Sequence, residues 1–393
     1  MGPLDGIRVV EAGLLIQGPQ AALTLGDWGA DVVKVELPGF GDQSRWLPIR
    51  PGDGRTAFFL AHNRGKRSVT LDLRTDGGRE AFLRLAATVD VIITNFKPGT
   101  MEAWGLGFDE VAARNPRLIY AAGSTFGDLG PDVEREGADL SGQAAGGLIS
   151  TTGMAGGEPT PTAATIADHI AAQNLVSGIL AALLARERTG TGQRVDTSLI
   201  GGQIWAQAGE YTACLLSGQV VGRANRGHPM IPGLYGIFPT ADGWIAVVGV
   251  AGAAREKFYT TIGRPELTER FRDVLYWDSV KAELFPILDS VFSTRPTAEW
   301  CEILGAAGLR HAPVRDHAEV IADPSVWTNG YLTTVKDRDG TDTPVVVPPV
   351  RFSQTPARAD GAAPELGEHT EEVLLEIGYT WDDIAQLRDR GAF

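Results

Sequence analysis

The sequence predicts an α/β protein with a large domain built on a mostly parallel sheet and a smaller α+β domain. Two observations predict the parallel sheet: short apolar runs alternate with segments of helical spacing in the first third of the chain, and these runs lack polar alternation. A third observation predicts the smaller domain: near residue 225 the alternation of strands and helices gives way to paired strands around Asp-Gly turns. A length of 393 residues accommodates two domains.

The candidate strands of the large domain follow one another at spacings that leave room for helices. They are residues 7–11, 31–36, 69–73, 89–94 and 118–122. Helical spacing marks residues 19–28, where Pro19 suits a first helical turn, and residues 78–88. Strand–helix–strand order of this kind predicts a sheet covered on both faces.

The middle of the chain changes from loops to long helices. Residues 123–165 are rich in Gly, Ser, Thr and Pro, which favours loops around a site. Residues 170–188 then predict a long helix ended by Gly190, and residues 195–216 predict another helix.

The remainder predicts the second domain and a segment that returns to the first. Two hairpins are expected, one around Asp242-Gly243 and one around Asp339-Gly340. The chain is therefore divided into a large Rossmann-like α/β domain, a small α+β domain and a return segment that packs on the large domain. Their predicted bounds are 1–205, 225–330 and 331–393.

Charge and composition limit the functional classes. With 35 basic and 49 acidic residues, the net charge of −14 argues against nucleic-acid and anionic-membrane partners. The N-terminal residues lack the basic-then-apolar order of a signal peptide, and the apolar run 175–185 is too short to cross a bilayer. Cys214 and Cys301 lie far apart and are expected to be reduced thiols. These features predict a cytoplasmic protein.

Several common site motifs are absent from the sequence. No Gly-x-Gly-x-x-Gly follows the first strand, and no P-loop or Gly-x-Ser-x-Gly elbow occurs. The six histidines have no metal-ligand spacing, so no metal site is predicted.

Two local features remain as candidates for chemistry. Basic residues gather in Asn63-Arg-Gly-Lys-Arg-Ser68 and recur at Arg74 and Lys97, a pattern that suits either phosphate binding or a solvated turn. Asp168 follows the Gly-rich loops at the start of the long helix. Its spacing favours an ordinary N-cap, and the functional alternative is a carboxylate nucleophile at a helix N-terminus.

An ordered series of motifs resembles the class III CoA-transferase family (CaiB/BaiF type) over nearly the whole chain. The motifs are Pro3-Leu-Asp-Gly-Ile-Arg-Val-Val, Gly18-Pro19, Gly29-Ala-Asp-Val-Val-Lys-Val-Glu36, Asn63-Arg-Gly-Lys-Arg-Ser-Val-Thr-Leu-Asp-Leu73, Asn95-Phe-Lys-Pro-Gly99, Asn115-Pro-Arg-Leu-Ile-Tyr120, Ile166-Ala-Asp168, Arg188-Thr-Gly-Thr-Gly-Gln193 and Leu366-Gly-Glu-His-Thr370. Each motif is weak alone, but nine in order are highly specific.

The resemblance implies a fold, an assembly and a reaction. Family members look like ring-shaped chains interlocked in homodimers. Asp168 matches the family's nucleophilic aspartate, which implies mixed-anhydride and aspartyl-CoA thioester intermediates. Acyl-CoA and a carboxylic acid are then the substrates, and no permanently bound cofactor is implied.

The resemblance also implies a set of coenzyme A contacts. They map onto Gln17, Leu71, Leu73, Arg74, Asn95, Phe96, Lys97, Arg135 and Ala138. Arg74 and Lys97 suit phosphate groups, and Leu71 and Leu73 suit the adenine ring.

Two alternative functions compete with the transferase. The α-methylacyl-CoA racemases of the same fold need a histidine where this chain has Ala138, and the acid expected near 248–251 is also missing. A non-catalytic acyl-CoA-binding protein is the second alternative, which the retained Asp168 argues against. The chain also lacks the glycine-rich flap of the formyl-CoA branch, so a bulkier acyl group is expected, with room near Trp46, Ile149 and Met154.

Overall fold

The structure is a computed structural model that describes residues 1–51, 56–223, 225–274 and 277–393. The chain forms two compact units. The first comprises Met1–Gly146, Ala164–Ala206 and Pro324–Phe393, and the second comprises Gly147–Ala163 and Gln207–Asp323. Thus the residues of the predicted return segment belong to the same unit as the predicted large domain.

One loop assigned to the large domain by its sequence position lies in the second unit instead. Residues 147–163 belong there because side chains from that unit bind the loop backbone. Arg223 Nη1 donates to the carbonyl oxygens of Met154 (3.2 Å) and Gly157 (2.6 Å), and Asn225 Oδ1 accepts from Ala155 N (2.5 Å).

The first unit contains a six-stranded sheet in the order β3-β2-β1-β4-β5-β6, and every pairing is parallel. The strands are β1 Arg8–Ala12, β2 Asp31–Glu36, β3 Arg67–Thr70, β4 Val91–Thr94, β5 Ile119–Ser124 and β6 Arg194–Ser198. The predicted α/β class with a mostly parallel sheet is confirmed. The prediction was wrong at β6, which was assigned to a helix because Arg194, Asp196 and Ser198 give this short edge strand no apolar pattern.

The described residues also form two smaller antiparallel sheets. The second unit holds β7 Leu234–Pro239, β8 Trp244–Val250 and β9 His311–Pro313, and the first unit holds the pair β10 Leu332–Lys336 and β11 Asp342–Val346. The hairpins predicted at the two Asp-Gly turns are confirmed by the β7–β8 and β10–β11 pairings.

The helices lie mostly between the strands, as expected for crossover connections. They are α1 Gln17–Asp27, α2 Ala57–Asn63, α3 Asp76–Ala86, α4 Thr100–Ala103, α5 Phe108–Arg114, α6 Asp139–Ala145, α7 Leu148–Thr151, α8 Ile166–Thr189, α9 Leu199–Ala206, α10 Ala208–Ser217, α11 Ala254–Thr261, α12 Leu267–Arg270, α13 Lys281–Phe292, α14 Thr297–Ala306, α15 His317–Ala322, α16 Pro324–Thr328, α17 Thr370–Glu376 and α18 Trp381–Asp389. Short 3₁₀ turns cover Gln43–Trp46 and Trp277–Val280.

Alternate residues of the strands enter two different cores, because successive side chains point to opposite faces. On β1, Val9 packs in a core with α1 and α8, and Val10 packs in a core with α3 and the C-terminal helices. The 24-residue α8 is long and apolar enough to span a membrane. In this fold its Leu175, Val176 and Ile179 are buried against the sheet, as a core helix requires.

The return segment covers the edge strand β3 with backbone and side-chain hydrogen bonds. Gly65 N donates to Ala362 O (2.9 Å), His369 N donates to Ser68 O (2.8 Å), and Thr70 N donates to Thr370 Oγ1 (3.0 Å). An uncovered edge strand would offer unpaired groups to another chain, so this segment closes the sheet at β3.

Four buried charged residues link β1, β2 and β3. We call them the buried charge cluster, and they are Glu11, Lys34, Asp42 and Lys66. Lys34 Nζ lies 2.9 Å from both Glu11 Oε1 and Asp42 Oδ2, and Lys66 Nζ lies 3.0 Å from Glu11 Oε2. Burial lowers the pKa of Lys66 to about 8. Burial acts on Lys34 in the same direction, but the Glu11 and Asp42 carboxylates outweigh it and raise its pKa.

We predict that Lys34→Met lowers the free energy of unfolding by about 3–5 kcal/mol, because it leaves two buried carboxylates with one cation. The matched control is Lys336→Met, which removes an exposed lysine paired with Asp342 at 2.6 Å and should change stability by less than about 1 kcal/mol. Urea denaturation of the three proteins measures the difference. Equal losses in the two variants would contradict a structural role for the cluster.

Candidate active site

A cleft of about 220 Å³ opens where four neighbouring strands of the large sheet end. Its lining includes Leu14 after β1, Leu37 after β2, Leu71 after β3 and Phe96 after β4. The order of the sheet reverses between β1 and β4, and ligands of open parallel sheets bind at the carboxyl ends of the strands beside such a reversal. The cleft is therefore placed where this architecture binds its ligands.

The loop that leaves β1 is held rigidly at the point where the sheet order reverses. Asn95, directly after β4, accepts from Leu14 N (2.7 Å) and donates to Leu14 O (2.8 Å). Leu15 has a φ of +63°, a strained value for a leucine, and its N–H donates to Asp42 Oδ1 (3.0 Å). The buried charge cluster thus determines how the chain enters α1.

Gln17, the first residue of α1, brings an amide to the carboxyl end of β5. Its side chain is 3% exposed, and its Nε2 has no hydrogen-bond acceptor within the described part of the chain. The amide lies against Gly123, where an added Cβ would be 2.5 Å from Oε1. Gly123 permits this close approach, and Nε2 is a buried donor without an acceptor among the described residues.

Asp168 is the third residue of α8 and lies in its first turn. The cap of this helix comes from another residue, since Asp139 Oδ1 accepts from Ala167 N (2.8 Å) and Asp168 N (3.2 Å). None of the described residues donates a hydrogen bond to the Asp168 carboxylate. Burial and the negative charge of Asp139 raise its pKa to about 7. A half-buried carboxyl group without a partner is thus available for chemistry.

The neighbouring histidine points away from this carboxylate, toward α1. His169 Nδ1 forms a short hydrogen bond with Gln20 Oε1, and its ring lies 5.8 Å from that of His62. Burial lowers the pKa of His62 to about 4 and also lowers the pKa of His169. Both rings are therefore neutral near pH 7, and His169 connects the first turn of α8 to α1.

The structure brings four of the predicted coenzyme A contacts into the lining of the cleft. Leu71, Leu73, Arg74 and Phe96 line the cleft. Asn95 and Gln17 lie beside it, as described above, and Lys97 lines a smaller adjoining cavity. Ala138 is an exposed residue at the start of α6, three residues after the exposed Arg135.

The predicted phosphate-binding cations already have acidic partners. Arg74 pairs with Asp72 (2.7 Å), Lys97 pairs with Glu134 (3.1 Å), and Arg135 pairs with Asp132 (3.0 Å). In the motif at 63–68, Lys66 belongs to the buried charge cluster, Arg64 forms a buried pair with Asp27, and Arg67 pairs with Asp31. The motif is thus neither a free phosphate-binding cluster nor a solvated turn, because its cations bind carboxylates within the fold.

The site contains residues that the sequence analysis did not select. Asp139 precedes Asp168 by 29 residues, and only the packing of α6 on α8 brings them together. Phe40 lines the cleft and stacks on Trp46, with ring centroids 5.7 Å apart. The acid in the Gly-Ala-Asp sequence at 137–139 was a local signal for Asp139, whereas Phe40 stands in a turn without a diagnostic pattern.

Comparison with known proteins gives consistent matches along the chain. A model of CoA-transferase family III matches residues 4–370. A succinate–glutarate CoA-transferase of Agrobacterium fabrum is 34% identical, over 95% of this chain and 96% of that protein. The human succinyl-CoA:glutarate CoA-transferase is 30% identical, over 98% and 87%. A crystal structure of a CaiB/BaiF family protein from Brucella suis matches with a TM-score of 0.84 and 34% identity, over 96% of this chain and 99% of that one.

We predict that Asp139→Asn lowers the pKa of Asp168 below about 7, because the substitution removes a negative charge and keeps an oxygen that can cap α8. The measurement is an NMR titration of protein labelled at the aspartate carboxyl carbons, with Asp168→Asn used to assign the resonance. Asp132→Asn, which removes an exposed acid paired with Arg135, is the control and should leave the titration unchanged. A pKa that stays the same in Asp139→Asn would mean that the two carboxyl groups do not interact.

Proposed function

This chain belongs to CoA-transferase family III, and we propose that Asp168 is the nucleophile with which it passes coenzyme A from an acyl-CoA to a carboxylic acid. The observation that carries the proposal is the half-buried Asp168 carboxyl group, which receives no hydrogen bond from the described residues and has a raised pKa. A carboxylate that is poorly solvated and unpaired is a stronger nucleophile than one held by cations or donors.

The proposed cycle conserves atoms and charge without ATP. An Asp168 oxygen attacks the thioester carbon of the donor, and the C–S bond breaks to give a mixed anhydride and CoA thiolate. The thiolate then attacks the Asp168 carbonyl carbon, which releases the donor acid as a carboxylate and leaves an aspartyl-CoA thioester. The acceptor carboxylate attacks this thioester, and the C–S bond breaks to give a second anhydride and free CoA thiolate. Thiolate attack on the acceptor carbonyl completes acyl-CoA and frees Asp168.

Negative charge develops on a carbonyl oxygen in each of these steps, so a donor near Asp168 would lower their barriers. Gln17 Nε2 is the group we assign to this role, because it is buried, lacks an acceptor and stands at the start of α1. The His169–Gln20 hydrogen bond joins the first turns of α8 and α1, and this contact supports the assignment.

The acyl group is proposed to be larger than formyl and to derive from a dicarboxylic acid. The matched relatives from Agrobacterium fabrum and human act on succinate and glutarate according to their names. The small side chain of Ala138 leaves room for a larger acyl group. Because a methyl group cannot transfer a proton, Ala138 also disfavours the racemase alternative. The interlocked homodimer and the cytoplasmic location stay predictions.

We predict that hydroxylamine added to the protein with succinyl-CoA converts Asp168 to a hydroxamate, because anhydride and thioester intermediates both react with this nucleophile. Peptide mass spectrometry identifies the modified residue. Asp168→Asn should show neither the modification nor CoA exchange. Asp196→Asn is the matched control, since it alters another half-buried aspartate and should retain both. A protein that binds succinyl-CoA without forming the hydroxamate would support the non-catalytic alternative.

We also predict that kcat/KM for succinyl-CoA rises with pH to a plateau, with a midpoint near pH 7. Only the carboxylate form of Asp168 attacks, and its raised pKa of about 7 keeps a large fraction protonated below that pH. The rate should therefore fall about tenfold per pH unit in the acidic range. A profile that is flat from pH 5.5 to 8 would contradict Asp168 as the titrating nucleophile.

A further inference from the structure

The cleft at the carboxyl ends of β1 to β4 is lined by the aromatic residues Phe40, Phe96 and Trp104, and Phe40 stacks on the nearby Trp46. Phe40 is 47% exposed and Trp46 is 59% exposed, although large aromatic side chains are usually covered. The two rings stack with centroids 5.7 Å apart and planes inclined by 29°. Phe96 and Trp104, which also line the cleft, form an edge-to-face pair at 5.4 Å.

The backbone fixes the orientation of the exposed pair before any ligand arrives. Trp46 Nε1 donates to Phe40 O (2.8 Å), which ties the indole to the turn that carries Phe40. Gly41, with a φ of +72°, lies so close to Glu36 that an added Cβ would be 2.9 Å from Oε2. Asp42 N donates to the same oxygen (2.9 Å), and Asp42 is itself a member of the buried charge cluster. The stacking surface of Phe40 is therefore preorganised.

The charges of the cleft give little attraction for phosphate groups. Among the described lining residues, Glu36 and Asp72 are acidic and Arg74 alone is basic. Arg74 is 61% exposed and forms two hydrogen bonds with Asp72, at 2.8 and 2.7 Å. Its positive charge is thus largely compensated within the protein, and exposed charges are further screened by salt.

From these contacts we propose that this chain recognises coenzyme A mainly through its adenine base, which stacks on Phe40 with Trp46 behind it. A purine offers a flat π-surface that stacks on aromatic side chains without requiring charge. The 3′-phosphate then adds little affinity, in contrast to the phosphate-binding role expected for Arg74. The inference rests on the proposed function, because it assumes that the cleft holds coenzyme A.

The experiment measures equilibrium binding of CoA, dephospho-CoA and 4′-phosphopantetheine by calorimetry. In the unmodified protein, CoA and dephospho-CoA should bind within about threefold of each other, and 4′-phosphopantetheine, which lacks the base, should bind at least tenfold more weakly. Phe40→Ala should weaken CoA and dephospho-CoA by about tenfold and leave 4′-phosphopantetheine unchanged. Phe40→Tyr keeps a ring and should restore binding.

Trp381→Ala serves as the matched control, since Trp381 is a 64% exposed aromatic residue at the start of α18, outside the cleft lining. It should bind all three ligands like the unmodified protein. Equal affinities of Phe40→Ala and the unmodified protein, or a dephospho-CoA affinity tenfold below that of CoA, would overturn the inference and leave the nucleophile assignment intact. Failure of the unmodified protein to bind CoA would overturn the proposed function as well.

Discussion

The geometry of the site depends on the buried charge cluster of Glu11, Lys34, Asp42 and Lys66. These residues stand on or beside β1, β2 and β3, so one group of ion pairs ties three neighbouring strands together. The cluster contains two cations and two carboxylates and is neutral as a whole. An apolar replacement of equal volume would remove the cost of burying these charges, but it would leave Leu15 N and Gly13 O without their partners. The strained entry into α1 requires those bonds.

The parallel sheet was predictable because its inner strands are apolar on both faces. The sixth strand was not, because it lies at the edge and carries Arg194 and Asp196, which pair with each other at 2.9 Å and give a local polar pattern. The basic motif at 63–68 shows a related difficulty. A run of cations indicates a charged partner, but the sequence does not say whether that partner is a ligand or a carboxylate from a distant strand, as Glu11 proves to be for Lys66.

The position of Asp168 at the start of a helix was predictable from its place after the Gly-rich loops. Its environment was not, because the residue that caps α8 and raises its pKa comes from α6. The spacing argument assigned the cap to Asp168, and the structure gives it to Asp139, which leaves the Asp168 carboxylate unpaired. Phe40 likewise reaches the cleft through a turn whose shape is determined by Glu36 and Gly41. Such contacts join residues whose relation appears only after the sheet has formed.

The hydrogen bonds between β3 and the return segment join residues about 300 positions apart. During synthesis, the first strands leave the ribosome long before residues 362–370, so the nascent sheet has an open edge at β3 for most of translation. Asp72 N donates to Ala392 O (2.7 Å) and therefore gains its acceptor later still. The first unit therefore completes these hydrogen bonds only once residue 392 has been made, and a chain that stops before residue 362 would keep an open sheet edge that can pair with other nascent chains.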